Sequence, residues 1–400
     1  MKILITSDWY APAVNGVVTS ILTLRRELTR RGHEVRVLTL SGGSRGWQAD
    51  GVYAVGSLDA GHIYPGARLR VPALSSPLNQ LIAWCPDVVH SQCEFSTFGL
   101  ARRIAKACGA PLVHTYHTVY EDYTHYFSPS RRWGRLLVKG FTRAVLARTD
   151  AVIAPSAKVQ RLLDGYGVRR PVRVIPTGID LDRFAAKPSP ALLAARREAL
   201  GIPAGNAVLV YVGRLAREKA IDELLESRAA LGGAPVTLLL AGGGPDEPRL
   251  RQLAAAMGLD APAVVFAGMV PPAEVPLFYH MGDVFVSASQ SETQGLTYFE
   301  AMAAGLPLVC RADPCLDGVV TNGVDGWQYA TAAGRDSALA ALLADEGLRR
   351  AMGGRAARTA QEFSAAPFAQ RAEALYREAC LVRADADRRT VRRGLVPAGR

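Results

Sequence analysis

The sequence predicts an α/β protein built from two Rossmann-like, doubly wound domains. Three observations carry that expectation. At 400 residues the chain exceeds what one ordinary hydrophobic core organises. Short apolar runs alternate with helical segments, the pattern of a parallel sheet covered on both faces. The alternation then restarts after a turn-rich, proline-bearing passage, Pro176–Phe184 followed by Lys187–Pro190.

In chain order, Lys2–Ser7 reads as a strand, Asp8–Val17 as a loop, and about Val18 to Arg31 as an amphipathic helix. Gly32 then turns the chain into the strand Val35–Leu40. This βαβ opening lacks G-x-G-x-x-G, which argues against a dinucleotide site. Gly16 either lets a ligand approach the backbone closely or is a plain turn glycine. Val88–Ser91, Pro111–Thr115, Ala151–Ala154 and Val172–Ile175 supply further strands of an N-terminal domain, residues 1–185. The second domain, residues 186–365, repeats the pattern with strands Ala207–Val212, Val236–Leu240, Ala263–Ala267, Asp283–Ala288 and Pro307–Cys310. Residues 366–382 read as a final helix able to return to the first domain. Residues 383–400, with Arg388, Arg389, Arg392 and Arg393, read as a solvated or disordered basic tail.

Six cysteines are scattered without a C-x-x-C pair, so neither a zinc site nor a disulfide framework is indicated and a reducing cytoplasm is expected. Met1–Thr6 is too short and too quickly polar for a signal peptide. No apolar run approaches the roughly 20 residues of a membrane span, so any membrane contact is expected at the surface. The formal net charge of +11 suggests an anionic partner, with solubility from an Arg-rich surface as the plain alternative. No nucleic-acid-binding motif is present, which sets nucleic acid aside.

The densest chemistry lies in Ser289–Pro307, where Glu292 and Glu300 stand eight positions apart. A strand precedes it, Gly295 opens the helix Leu296–Ala304, and Gly305 with Pro307 closes it. Free N–H groups of residues 294–297 would then face the crevice at the sheet's carboxyl edge, where a pyrophosphate is favoured. Two carboxylates would repel phosphate and call for hydroxyl donors instead. A nucleotide sugar, with phosphates between two sugars, satisfies the amides and both acids. A solvated loop acid and a surface helix acid remain the bland alternatives. Arg214 and Lys219, at the end of Ala207–Val212, suit a diphosphate or are surface charges, and Arg217 and Glu218 between them read as solvated. Gly242–Gly244, with Gly243 at its centre, offers bare backbone at the same edge or a flexible turn.

In the first domain, Val113–Tyr126 carries three histidines and four tyrosines beside Glu121 and Asp122. Such a loop suits sugar hydroxyls and ring faces. Its histidine spacings match no common metal pattern, and a satisfied, partly buried histidine is the alternative at each position. Wound as a helix, Arg131–Arg148 puts Arg132, Arg135, Lys139 and Arg143 on one stripe and Trp133, Leu137, Phe141 and Val145 broadly opposite. Either an interfacial helix or one packed on its own sheet has that wheel. His62–Leu81 is a second candidate for a lipid-facing surface.

Arg214 with Lys219, the run Ser291–Pro307, the loop Pro12–Val17 and His117 together resemble the retaining glycosyltransferases of family 4, which have the GT-B fold. The resemblance runs from Met1 to about Val382. Within that family, His117–Tyr126 and Glu292-Thr-Gln-Gly-Leu-Thr297 are most similar to the diacylglycerol glucosyltransferases. The resemblance implies that Glu300 binds the ribose hydroxyls and that the amides near Gly295 and Leu296 meet the donor sugar and pyrophosphate. It implies that Arg214 and Lys219 neutralise the diphosphate, that Glu292 lies near the donor sugar's hydroxyls, that His117 lies beside the transferred sugar, and that Gly16 lines the phosphate side. Retention would proceed by front-face attack, with no tightly bound cofactor, no protein metal site, and Mg2+ at most stimulatory. The expected partners are a nucleotide sugar, a lipid acceptor and an anionic membrane surface, with the protein peripheral on the cytoplasmic face of the cell membrane. The expected reaction moves glucose from UDP-glucose to a diacylglycerol-type lipid. A GDP-mannose-dependent α-mannosyltransferase acting on another lipid is the alternative within the class. A non-catalytic two-domain sugar-binding protein is the alternative outside it.

Overall fold

A computed structural model describes residues 1–13, 15–60, 68–70, 76–121 and 130–394. The chain divides into two units, Met1–Gly178 with Ala365–Arg400, and Ile179–Ser364. The division falls before the expected boundary at 185 because Leu181 and Phe184, on the short helix Leu181–Ala185, are buried in the second unit's core.

The first unit holds an eight-stranded sheet ordered Val172–Val174, Ala151–Ala154, Leu112–Thr115, Val88–Ser91, Lys2–Thr6, Glu34–Leu40, Val52–Val55 and Trp47–Ala49. Neighbours are parallel except the last pair. Alternation along the strands sends Leu4, Leu38, Val89, Leu112 and Val152 to one core and Ile3, Ile5, Val37, Val88, Val113 and Ile153 to the other. With both faces covered, these strands read as continuous apolar runs. Asn15 caps the helix Gly16–Arg30 by accepting from Val18 N at 2.9 Å, so the helix starts two residues earlier than expected.

The helix Ala365–Gly394 belongs to this unit. Phe368, Ala369, Ala372, Leu375, Tyr376 and Ala379 form a stripe at helical spacing in the second of those cores. It continues past Val382, where a tail was expected, because Arg383–Arg393 contains no proline or glycine and is rich in helix-tolerant Ala and Arg. Of His62–Leu81, residues 62–67 and 71–75 lie outside the described residues. Arg68–Arg70 pairs antiparallel with Ser57–Asp59, and the helix Ser76–Trp84 buries Leu78 and Leu81.

The second unit is a six-stranded parallel sheet ordered Val264–Gly268, Val236–Ala241, Ala207–Val212, Val284–Ser287, Leu308–Arg311 and Gly326–Tyr329. Val208, Val210 and Val212 face one core, Leu209 and Tyr211 the other. In both units the opening strand has its next partner on one side and a later strand on the other. The order therefore reverses there, at Lys2–Thr6 beside Val88–Ser91 and at Ala207–Val212 beside Val284–Ser287. Open α/β sheets bind their ligands outside the carboxyl ends of such strand pairs.

Candidate active site

The two loops that leave the reversal point of the second unit are joined to each other. Beyond Val212 the chain passes Arg214 and a single 3-10 turn, Arg217–Lys219; beyond Ser287 it forms the loop that ends at Gly295. Ser291 Oγ donates to the Glu218 carbonyl at 3.2 Å, and Lys219 Nζ donates to Glu292 Oε1 at 2.6 Å. Burial works to lower the Lys219 pKa, but Glu292, with Tyr211 and Glu218 in support, outweighs it and holds the amine above its ordinary value, so it stays charged. Arg214 pairs with Glu218. Glu218 is thus not the solvated residue its position suggested; its side chain is 4% exposed. Arg217, at 78%, is solvated as expected.

Gly295 sits at φ +75°, and a Cβ there would lie 2.4 Å from the ring of buried Tyr298, so only glycine fits. Gly295 is the N-cap of the helix Leu296–Ala303 that follows and, having no side chain, does not cap it. One turn further, Glu300 accepts from the buried Tyr279 hydroxyl at 2.7 Å. Burial raises the Glu300 pKa, opposed by that hydrogen bond and by Arg183. The glycine run has a structural cause: a Cβ on Gly242 would lie 2.0 Å from the Gly213 oxygen, and one on Gly244 2.2 Å from that of Leu215. Gly243 accepts from Leu215 N at 3.0 Å, and its missing Cβ would first meet the Met269 side chain.

In the first unit Gly16 is the exposed first residue of its helix. His117 Nε2 lies 2.6 Å from Gln92 Oε1; an amide oxygen only accepts, so Nε2 carries the proton. Burial, with His114 in support and Glu94 opposing, lowers the His117 pKa to about 4. Glu94 meets His114 Nε2 at 3.2 Å and accepts from Tyr120 at 2.5 Å. Asp8 accepts from the amides of Ser96 at 2.9 Å and Thr97 at 2.7 Å, capping the helix Ser96–Cys108 from a distant loop. Sequence reasoning missed Asp8, Gln92 and Glu94. The signal available was position, since all three directly follow the two strands that flank the order reversal. Asp122, Tyr123, His125 and Tyr126 lie outside the described residues. Among the described residues no group of three His, Cys, Asp or Glu is placed to hold a metal ion.

An acid response follows from these histidines. His117 and buried His90, whose pKa burial also lowers, bind fewer protons folded than unfolded. Stability therefore rises with pH across that window and is lost as pH falls from about 6.5 toward 4. The thermal midpoint should drop through that range in the wild type and drop less in a His90→Gln/His117→Gln variant.

The helix Arg131–Leu146 packs by Gly134, Val138, Thr142, Val145 and Leu146. Val145 is therefore on the buried side, apart from the apolar residues it was grouped with. Trp133, Leu136, Leu137 and Phe141 remain 68%, 61%, 62% and 40% exposed, among exposed Arg132, Arg135 and Arg143. Phe141 stacks on Phe95, centroids 5.8 Å apart. No described helix is long and apolar enough to cross a membrane.

Residues 14–183 match the family model described as Glycosyltransferase Family 4, and residues 194–359 match Glycosyl transferases group 1. The chain is 35% identical over 336 residues to an alpha-monoglucosyldiacylglycerol synthase of Streptococcus pneumoniae (82% of this chain, 75% of the relative). It is 32% identical over 341 residues to the protein of that name in Acholeplasma laidlawii (82% and 84%). A GDP-mannose-dependent alpha-mannosyltransferase of Mycolicibacterium smegmatis is 28% identical over 362 residues (82% and 86%). Among solved structures, sucrose-phosphate synthase from Thermosynechococcus elongatus superposes with TM-score 0.73 at 22% identity (94% and 98% covered). Anabaena HepE in complex with UDP and glucose gives TM-score 0.72 at 20% identity (94% and 99%). These structural likenesses bear out the expected GT-B fold.

Proposed function

Because the chain belongs to glycosyltransferase family 4 and is a hexosyltransferase that uses a nucleotide sugar, we propose that it moves glucose from UDP-glucose to a diacylglycerol-type membrane lipid with retention. The observation that carries the site assignment is the Lys219–Glu292 contact of 2.6 Å, made between the two loops at the order reversal of the second unit. The cation that meets the diphosphate in this reading stands directly beside the carboxylate that meets the sugar. In this reading Arg214 and Lys219 neutralise the diphosphate, the amides at Gly295 and Leu296 meet the pyrophosphate and donor sugar, Glu300 takes the ribose hydroxyls, and Gly243 lets the nucleotide lie close. His117 lies beside the transferred sugar and Gly16 lines the phosphate side. The acceptor oxygen attacks the anomeric carbon as the bond to the diphosphate breaks, and the departing phosphate oxygen takes the acceptor's proton. Glucose and diacylglycerol are supported by the names of two relatives at 32% and 35% identity. The mannosyltransferase relative at 28% favours GDP-mannose as the second reading of the donor. The sugar-binding alternative falls with membership of an enzyme family.

Radiolabelled UDP-glucose, GDP-mannose and other nucleotide sugars, each incubated with mixed lipid vesicles, test the reading. Label in the lipid phase from UDP-glucose supports it; label from GDP-mannose alone replaces the donor; label confined to water sinks the lipid acceptor.

The membrane-facing surface in this reading is the helix Arg131–Leu146, with its apolar side chains entering the interface and its cations meeting anionic head groups on the cytoplasmic face. Reversing Arg132, Arg135, Lys139 and Arg143 to Glu is expected to abolish sedimentation with anionic vesicles. Unchanged sedimentation would remove this helix from the account.

A further inference from the structure

Tyr376 lies on the last helix of the first unit, far in sequence from every residue given a role above, yet its hydroxyl stands 2.6 Å from His90 Nδ1. The other ring nitrogen of His90 is 2.7 Å from Thr115 Oγ1. Strand alternation explains the meeting. Val88 and Val113 face the core that the last helix covers, and His90 and Thr115, two residues on, share that face. Both nitrogens of this fully buried ring thus face hydroxyls, and a tilt of the ring would break two hydrogen bonds where no water can replace them.

Two residues beyond His90, Gln92 places its amide nitrogen 3.1 Å from both ring nitrogens. Equal distances put the amide over the ring's face, away from the in-plane lone pairs. The amide oxygen then receives the Nε2–H of His117 at 2.6 Å. In the apolar stripe formed by Phe368, Ala372, Leu375 and Ala379, phenylalanine would fill the space of Tyr376 equally well. The hydroxyl is what the relay uses.

We infer that Tyr376, His90 and Gln92 form a positioning relay that fixes the ring orientation and tautomer of His117 for sugar transfer. Gln92 accepts, so His117 keeps its proton on Nε2 and presents Nδ1 as its acceptor nitrogen toward a sugar hydroxyl. The last helix, which returns to the first unit after the whole second unit has been traversed, thereby contributes to the chemistry without touching substrate. The inference rests on the reading of His117 given above.

The test uses the full chain with UDP-glucose and diacylglycerol vesicles. Tyr376→Phe, which keeps the ring and its packing, should lower kcat about 3- to 10-fold with donor KM nearly unchanged, the effect of losing one buried hydrogen bond. Thr115→Val should do the same from the other side of His90. Gln92→Met cuts the chain, so adding Tyr376→Phe to it should cost nothing further. Multiplied losses in that double variant, or a Tyr376→Phe variant with wild-type kcat, overturn the relay. A His117→Ala variant with wild-type kcat sinks the reading of His117 instead. A substrate-free readout is the imidazole nitrogen shifts of His117. They should report the Nε2–H form in the wild type and a tautomer mixture in both Gln92→Met and Tyr376→Phe; the pure Nε2–H form in both variants contradicts the inference.

Discussion

Lys219→Ala is expected to slow sugar transfer by about 10²- to 10³-fold while weakening nucleotide binding far less. The amine is held charged by Glu292 at 2.6 Å and largely withdrawn from water, at 15% side-chain exposure. A fixed cation in such a place does most when negative charge grows on the departing diphosphate, so its loss falls on the transition state more than on the bound donor. A competing explanation is that the substitution leaves Glu292 as an unmatched, partly buried charge and loosens the two loops. The two are separable: adding Glu292→Gln to Lys219→Ala should restore the thermal midpoint without restoring transfer. Single-turnover rates set against nucleotide affinity by calorimetry provide the check, and a rate within about threefold of wild type would remove Lys219 from the reaction.

Glu300→Ala is expected to act on the other side of that division, weakening donor affinity about 10- to 100-fold at nearly unchanged saturated rate. Hydrogen bonds to an ionised carboxylate contribute roughly 1.5–3 kcal/mol, and a ribose diol offers two donors. The Tyr279 hydroxyl at 2.7 Å ties down Oε2, which orients the carboxylate before the nucleotide arrives. Tyr279→Phe should therefore produce a smaller loss, about threefold, because the charge stays and only its tether goes. Titration of nucleotide into the three proteins measures both effects. Equal affinity in wild type and Glu300→Ala would mean that this carboxylate merely satisfies a buried tyrosine.

The fold was legible because the two large sheets are parallel but for one edge pair and are covered on both faces, which writes their strands as unbroken apolar runs. Val88–Ser91, Ala151–Ala154 and Ala207–Val212 are strands over the same residues in sequence and structure. The short strands Trp47–Ala49, Val52–Val55 and Gly326–Tyr329 were not legible, since three or four residues among glycines carry too little pattern. Lys219, Glu292 and Gly295 could be singled out because each directly follows a readable strand or opens a readable helix. Their contacts could not: that Ser291 bonds the Glu218 carbonyl, or that Lys219 pairs with Glu292, depends on two loops 73 positions apart sharing one sheet edge. The same holds for His117, whose partners Gln92, His90 and Tyr376 come from two strand ends and the last helix. On the helix Arg131–Leu146 the wheel groups Val145 with Trp133, Leu137 and Phe141, yet Val145 is buried and the other three are exposed. Gly134 and Thr142 lie on the helix's buried side, and small or polar residues give no hydrophobic signal for it.

The most direct measurement incubates the protein with UDP-glucose and vesicles containing diacylglycerol and determines the configuration of the sugar in the extracted lipid by proton NMR. The expected product is diacylglycerol carrying glucose in the α configuration of the donor. A β-linked product would contradict retention, and glucose recovered only in the water phase would contradict the lipid acceptor.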